Sequence, residues 1–408
     1  MRPDTDIIIV GGGLCGPVLA IAVAGTGLRV TLIDALPVAT RRAAGFDGRG
    51  YALALTSVRM LQALGIWDER RTRAQPILDI KVACCRTGEG TSPRLVHFNH
   101  RDMEEGPMGC VIEDRFLRAA LMDAVKSDTA ITQINEHPVV AQETTPGGIT
   151  CTLKDGTRLR GQLLVGCDGR HSGVAVRAGI KRIGWNYDQA SLVCAVDHER
   201  PHNGVAYQLF RPAGPLAILP LPGNRSAIVW TEDRTRAGDI HGQTPEDYLA
   251  ALRPVFGNFL GAISLAGGRF LHPLDLSLAV RFIAPRVAIA GDAAHGIHPL
   301  AGQGLNLGLR DIASLAEVIA EAARRGQDIG SVAALRSYET WRRFDTAGLA
   351  AATDGLNRLF SNDCGTLHSM RTLGMDVVNK VGTLRRIFMR EAAGLTGDLP
   401  RLLQGKPI

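Results

Sequence analysis

Residues 6–10, Asp-Ile-Ile-Ile-Val, form a short apolar run that stops at Gly11, Gly12 and Gly13; helix-spaced apolar residues follow over 14–24, then a second apolar run at 29–33. A brief unbroken apolar run predicts a strand buried on both faces, and apolar residues recurring at three and four predict a helix. The opening is therefore a βαβ unit. Two more buried-strand runs, at 163–165 and 287–290, end on Asp168-Gly169 and Gly291-Asp292. Between 76 and 104, and again over 182–274, the pattern becomes short β-like runs broken by Pro and Gly, among them "SLVCAVD", "VAYQLF", "LAILPLP" and "RSAIVWTE". From 331 the spacing is helical. These patterns predict an α/β chain: a discontinuous Rossmann-like nucleotide-binding domain (1–75, 105–181 and 275–330), an inserted β-rich substrate domain (76–104 and 182–274) and a helical region at 331–408.

The glycines carry the first chemistry. Gly11, Gly13 and Gly16 have GxGxxG spacing: the first suits a tight turn, the second lets a pyrophosphate approach the backbone, and the third permits close helix–strand packing. Leu14 and Cys15 occupy the positions between, at a helix start whose free N–H groups and dipole favour phosphate. Pro17 is tolerable in the first turn, where an N–H has no intrahelical partner to lose. Asp34, ending the second strand, suits a ribose diol and repels a 2′-phosphate. This unit predicts a dinucleotide and leaves FAD, NAD and NADP open.

A third stretch is "HGIHPLAGQGLNLGLRD", residues 295–311, where Gly302, Gly304 and Gly308 fall just as a helical pattern begins. Each glycine inside a helix costs roughly 0.5–1 kcal/mol against alanine, so something beside that helix must need them.

Composition narrows the class without choosing a reaction. With 408 residues, 45% hydrophobic and 21% charged, the chain is an ordinary folded protein large enough for two domains. Its net charge of +6 is dispersed, with no basic block interleaved with aromatics, so nucleic acid is not an expected partner. Eight cysteines lack CxxC spacing, which argues against a disulfide scaffold and a redox dithiol. The adjacent Cys84 and Cys85 read as half-buried strand residues. No apolar run reaches the roughly 18 residues of a membrane span. The expected location is the cytoplasm, with peripheral contact to the inner face of the membrane. His295 and His298 are spaced three apart, but no acid or cysteine completes a ligand set, so no metal is expected. Ser172 lacks a GxSxG elbow and reads as a helix cap.

Three glycine-and-acid turns in this order resemble the single-component FAD monooxygenases of the p-hydroxybenzoate hydroxylase type. More narrowly, "HPLAGQGLNLGLRD" at 298–311, "FDGRGYAL" at 46–53 and the tail "FMREAAGLTGDLPRLL" at 388–403 resemble the UbiH-type ubiquinone-biosynthesis hydroxylases. The resemblance implies that the first motif holds the ADP half of FAD. It implies that Asp168 and Gly169 serve FAD and the passing nicotinamide cofactor, and that Asp292 bonds the ribityl chain. It places Pro299, Gly302, Gln303, Gly304, Leu305 and Asn306 beside the flavin, with the helix near Leu305 aimed at it. Arg49 would lie near the cofactor. Asp114 stands where the broader family carries Arg or Gln, leaving Arg115 as the nearby candidate.

The implied reaction is hydroxylation of a polyprenylated phenol by NAD(P)H-reduced FAD and O2 through a C4a-hydroperoxide, in ubiquinone biosynthesis. No catalytic acid or base is identifiable. A flavin-dependent isoprenoid reductase shares the same cofactor signals, as does a non-catalytic FAD-binding component of a quinone-synthesis assembly. The tail at 381–403 mixes basic and apolar residues, compatible with packing on the body or with a lipid surface.

Overall fold

The computed structural model describes residues 3–41, 45–68, 73–86, 90–361, 374–375 and 377–408. Its central sheet has six strands in the order Ile283–Ala284, Val287–Ile289, Leu163–Gly166, Ile7–Val10, Val30–Ile33 and Ile131–Ile134. All neighbours run parallel except the first pair. Ile7, Ile8, Ile9, Leu163, Leu164 and Val165 are wholly buried, the burial expected of a parallel sheet covered on both faces. Helix Cys15–Ala24 packs against helix Gln303–Arg324.

A second sheet of eight strands runs His295–Gly296, Ile263–Ala279, Arg182–His198, Arg225–Asp233, Leu216–Leu221, Val205–Phe210, Asp79–Arg86 and Gly90–Asn99. Two of these strands have 17 residues each. They extend the sheet back toward the parallel one, where Ser277 and Leu278 pair with Gly296 and His295. Cys84 is buried in its strand; the side chain of Cys85 lies outside the described residues.

The span read as purely β-like also contains helices Arg234–His241 and Pro245–Phe256. Their signals were local: Thr244 caps the second helix by accepting from Asp247 N at 3.2 Å, Pro245 starts it, and Tyr248, Leu252 and Phe256 repeat at four. These three side chains cover one sheet face, forming a core with Trp230, Ile228 and Leu192. The opposite sheet face is left to the central cavity.

Toward the carboxyl end, helix Val332–Phe360 lies along helix Gln303–Arg324, followed by helix Gly382–Ala392. Among the described residues no helix is long and apolar enough to cross a membrane.

Candidate cofactor site

Because strands Val30–Ile33, Ile7–Val10, Leu163–Gly166 and Val287–Ile289 are consecutive neighbours, the turns at their carboxyl ends lie side by side. Ligands of open α/β sheets bind at this edge. The turns are in contact: Gly11 has φ +117°, and a Cβ there would collide with the Cys167 carbonyl. Only glycine allows the first turn to sit against the second.

Two cavities open along the edge. One, about 480 Å³, is lined by Gly11, Gly13, Asp34, His137, Asp168 and Arg177. The other, about 410 Å³, is lined by Leu14, Cys15, Tyr51, Asp292, Pro299 and Leu305, with Ala217, Leu219 and Val229 of the second sheet above. Gly13, Cys167 and Gly169 line both. The site is thus one elongated cleft, polar at one end and roofed by apolar side chains at the other.

The backbone groups around the cleft suit a dinucleotide. Helices Cys15–Ala24 and Gln303–Arg324 both begin without a side-chain cap, leaving their first N–H groups for another acceptor. At Gly13 and Gly304 a Cβ would meet nothing within 4 Å, so the space beside these residues is open. Exposed Asp292 lines the cavity between the two helix starts.

Behind the cleft lies a buried polar hub that sequence reasoning missed. Asp311, wholly buried, accepts from Gly291 N at 3.0 Å, from His295 Nε2 at 2.5 Å and from Arg342 Nε at 2.8 Å. Burial by itself would raise the Asp311 carboxyl, but His295 and Arg342 outweigh it and hold it below the ordinary carboxylate range. The hub fixes the Gly291-Asp292 turn from behind. Arg182 holds it from the side, donating to the carbonyls of Asp292 and Ala293. His295 is therefore occupied by a carboxylate. His298, fully buried, sets its ring edge-on to Tyr187 at 5.3 Å, and burial pushes its imidazole down to about 4. Among the described residues no cluster of three His, Cys, Asp or Glu could hold a metal ion.

The predicted residues divide into four groups, the last being Arg49 and Arg115. Gly11, Gly13, Leu14, Cys15, Asp34, Asp168, Gly169, Asp292, Pro299, Gly302, Gly304 and Leu305 line the cleft. Gly16 sits behind it, where a Cβ would strike the Gly11 carbonyl. Gln303 and Asn306 line a separate groove of about 280 Å³. Asn306 accepts from Ala54 N and Ser57 Oγ, both at 2.8 Å, and donates to Ala52 O and Gly302 O. With its amide saturated, Asn306 clamps the helix to the neighbouring strand Gly50–Ala54 rather than presenting its side chain to the cleft.

Asp168 also has internal partners: Ser172 Oγ and Val174 N bond its carboxylate, and Ser172 caps helix Gly173–Arg177 through Ala175 N at 3.0 Å. Arg49 pairs with Asp47 at 2.6 Å and Asp114 at 3.2 Å; Arg115 pairs with Glu113 and stacks over Phe116. Neither arginine lines the two cavities. Asp114 thus holds Arg49 and Arg118, and receives the Tyr51 hydroxyl at 2.8 Å.

The glycine-rich helix start has two explanations. Gly302, at φ +64°, turns the chain into the helix, and Gly304 borders open cleft. Gly308 instead serves packing: a Cβ there would lie 2.9 Å from Cys15 Sγ and 3.3 Å from Gly291 Cα.

A cleft that fits a nucleotide, between a parallel sheet and an antiparallel ceiling, is the architecture of the p-hydroxybenzoate hydroxylase fold class. The model of the FAD binding domain family matches residues 4–350, and the chain belongs to that family. It is 43% identical over 406 residues to the ubiquinone hydroxylase UbiL of Rhodospirillum rubrum, covering 99% of this chain and 93% of that one. It is 32% identical to the 3-demethoxyubiquinol 3-hydroxylase of Escherichia coli, covering 96% and 99% of the two chains. Among solved structures, the p-nitrophenol 4-monooxygenase PnpA of Pseudomonas putida aligns with a TM-score of 0.80 at 18% identity, covering 97% of this chain and 99% of that one, a likeness of fold.

Proposed function

We propose that the protein hydroxylates the aromatic ring of a polyprenylated phenol in ubiquinone biosynthesis, using FAD, NAD(P)H and O2. The observation that carries this reading is the single cleft joining a phosphate-binding sheet edge to an apolar ceiling. Two relatives, each matched over at least 93% of its length and named for ubiquinone-pathway hydroxylation, support the substrate class. When bound, FAD supplies the oxygen-activating chemistry after reduction by NAD(P)H.

The protein's own residues then have definable work. Asp34 accepts from a ribose, the uncapped starts of helices Cys15–Ala24 and Gln303–Arg324 hold anionic oxygens, and Asp292 accepts from a polyol chain. Pro299, Gly302, Gly304 and Leu305 form one wall for the flavin ring. Ala217, Leu219 and Val229 exclude water over the reacting face and offer the aromatic substrate an apolar surface. Arg49 acts through the Asp114–Tyr51 pair beside the cleft. The same arrangement supports dividing the chain into the cofactor domain (1–75, 105–181, 275–330), the substrate domain (76–104, 182–274) and the helical region (331–408).

Peripheral contact with a lipid surface belongs to the same proposal. Phe344, Ile387 and Phe388 are 83%, 53% and 51% exposed, and the last two share helix Gly382–Ala392 with Arg386 and with Arg385 and Arg390, which pair with Asp102 and Glu105. Exposed apolar side chains beside arginines suit anionic lipid, where a prenylated substrate resides. The same face suits assembly with other quinone-synthesis proteins.

Deleting the gene in its host and identifying the accumulated quinone precursor by mass spectrometry tests the pathway. A ring-unhydroxylated precursor is expected; an unchanged quinone profile, absent a redundant enzyme, overturns the assignment. Oxygen uptake coupled to ring hydroxylation separates the reading from isoprenoid reduction, and NAD(P)H turnover separates it from a non-catalytic FAD-binding role.

A further inference from the structure

The strand register across the cavity ceiling arranges side chains in rows. Residues directly opposite in an antiparallel pair share one face, with Cβ atoms about 4.5–5.5 Å apart. Phe270 lies opposite Val193, Val193 opposite Val229, and Val229 opposite Ala217. Val229 and Ala217 line the cleft, so this row faces it. One step along the strands, His272 lies opposite Ser191, and Ser191 opposite Thr231, on the same face. The intervening Leu192, Ile228 and Trp230 belong to the core on the other side. An apolar ceiling thus ends in a row of three polar side chains.

That row has unused hydrogen-bonding capacity. Ser191 is 2% exposed, and its hydroxyl has no partner among the described residues. His272 makes no hydrogen bond among the described residues. It stacks on Phe270 with ring centroids 6.4 Å apart, while the Arg49 guanidinium lies 5.6 Å from the Phe270 ring. Burial, then the charges of Arg170 and Arg49, push the His272 imidazole down, favouring its neutral, hydrogen-bond-accepting form. Those arginines face carboxylates of their own: Arg170 pairs with Asp275, and Arg49 with Asp47 and Asp114. Leaving a buried hydroxyl unpaired is costly, and the neighbouring apolar row supplies no partner.

We propose that the row Ser191, Thr231 and His272 reads the free hydroxyl of the aromatic substrate, and that Ser191 is the residue that decides which ring carbon is presented for hydroxylation. The inference rests on the hydroxylase reading. A flat ring held against Val229, Ala217 and Leu219 can still rotate in its own plane, because an apolar surface has no preferred azimuth. One hydrogen bond at the polar end of the ceiling removes that freedom. A substrate with an alkoxy group in place of the hydroxyl cannot donate to the row and loses this discrimination.

The test uses the full chain loaded with FAD, 2-geranylphenol as the aromatic probe, NAD(P)H and O2. Product regioisomers are separated by chromatography, and the share of NAD(P)H recovered as hydroxylated product is measured. Wild type is expected to give one predominant regioisomer. Ser191→Ala should erode either the regioisomer ratio or the coupling by about fivefold, whereas Ser191→Thr, which keeps the hydroxyl, should preserve both. With the O-methyl ether of the probe, wild type and Ser191→Ala should behave alike. Should Ser191→Ala fail to retain flavin, the more exposed His272→Gln carries the test, with coupling expected to fall about twofold. Wild-type ratio and coupling in these variants would overturn the inference and leave the hydroxylase reading standing. A wild-type enzyme that hydroxylates no phenol would overturn both.

Discussion

Below the cleft, Asp311 accepts three hydrogen bonds and Asn306 uses all four positions of its amide; above and beside it, the Ser191 hydroxyl and both ring nitrogens of His298 have no partner among the described residues. These side chains are similarly hidden from solvent. The carboxylate and amide behind the cofactor turns are paired before anything binds, so the turns are held in one arrangement while the uncapped helix starts stay open to the ligand. The facing sheet keeps the Ser191 hydroxyl in reserve. Preorganisation suits a group that stays bound through many turnovers; reserve capacity suits a molecule that must arrive, be oriented and leave.

Removing the hub should have the largest effect on this contrast. Asp311→Ala leaves Arg342 and His295 buried without their acceptor and should cost about 3–5 kcal/mol of stability, read by denaturant unfolding of the FAD-loaded protein. A loss below about 1 kcal/mol would mean that the wall is not preorganised through this residue.

The second test uses acid on the unpaired side. His298 titrates in the unfolded chain near the ordinary imidazole value but at about 4 in the fold, so the unfolded state binds the extra proton between those values. Stability therefore falls as pH drops from about 6.5 to 4, by about 3 kcal/mol from this group alone. Asp311 has a lowered pKa and stays ionised across that window; its contribution disappears only as pH falls below the ordinary carboxylate value and through its folded pKa. His298→Leu should flatten the upper window without changing the lower one. An unaltered pH profile of thermal unfolding would remove His298 as the source.

A third, smaller effect addresses the glycines. Gly308→Ala should cost about 1–3 kcal/mol because its Cβ meets Cys15 Sγ, and the double variant Gly308→Ala with Cys15→Gly should recover part of that loss. Gly304→Ala, facing open space, should leave folding stability within about 1 kcal/mol of wild type and weaken flavin retention instead. The smallest effect is expected at the carboxylate on the cleft: Asp292→Ala should weaken FAD binding about tenfold with little change in unfolding once flavin is removed. Unchanged flavin content after purification would remove that role.

Much of the cofactor wall was legible because its signals are local. A strand, three glycines, a helix start and Asp34 fall within 30 residues, and each has one conformational reason to be there. Helix Pro245–Phe256 was also locally signalled but lay inside a run of stronger β patterns. The resemblance placed Asn306 beside the flavin, whereas the saturated amide that ties its helix to a neighbouring strand could be known only once Ala52, Ala54 and Ser57 were brought to it from some 250 positions away. Arg342 gave no local sign of meeting Asp311, because an arginine in a helical pattern reads as solvent-facing.

The sequence by itself determined which segments are strands and helices around the three turns, and which backbone positions had to be glycine, because these depend on short-range sterics and periodicity. Tertiary structure alone decided that the three strands are neighbours, that Asp311 is wired to His295 and Arg342, and that Ser191, Thr231 and His272 form one row. A strand's residue alternation states which side chains share a face, but not which face meets the cavity. That choice was made when helix Pro245–Phe256 covered the other one.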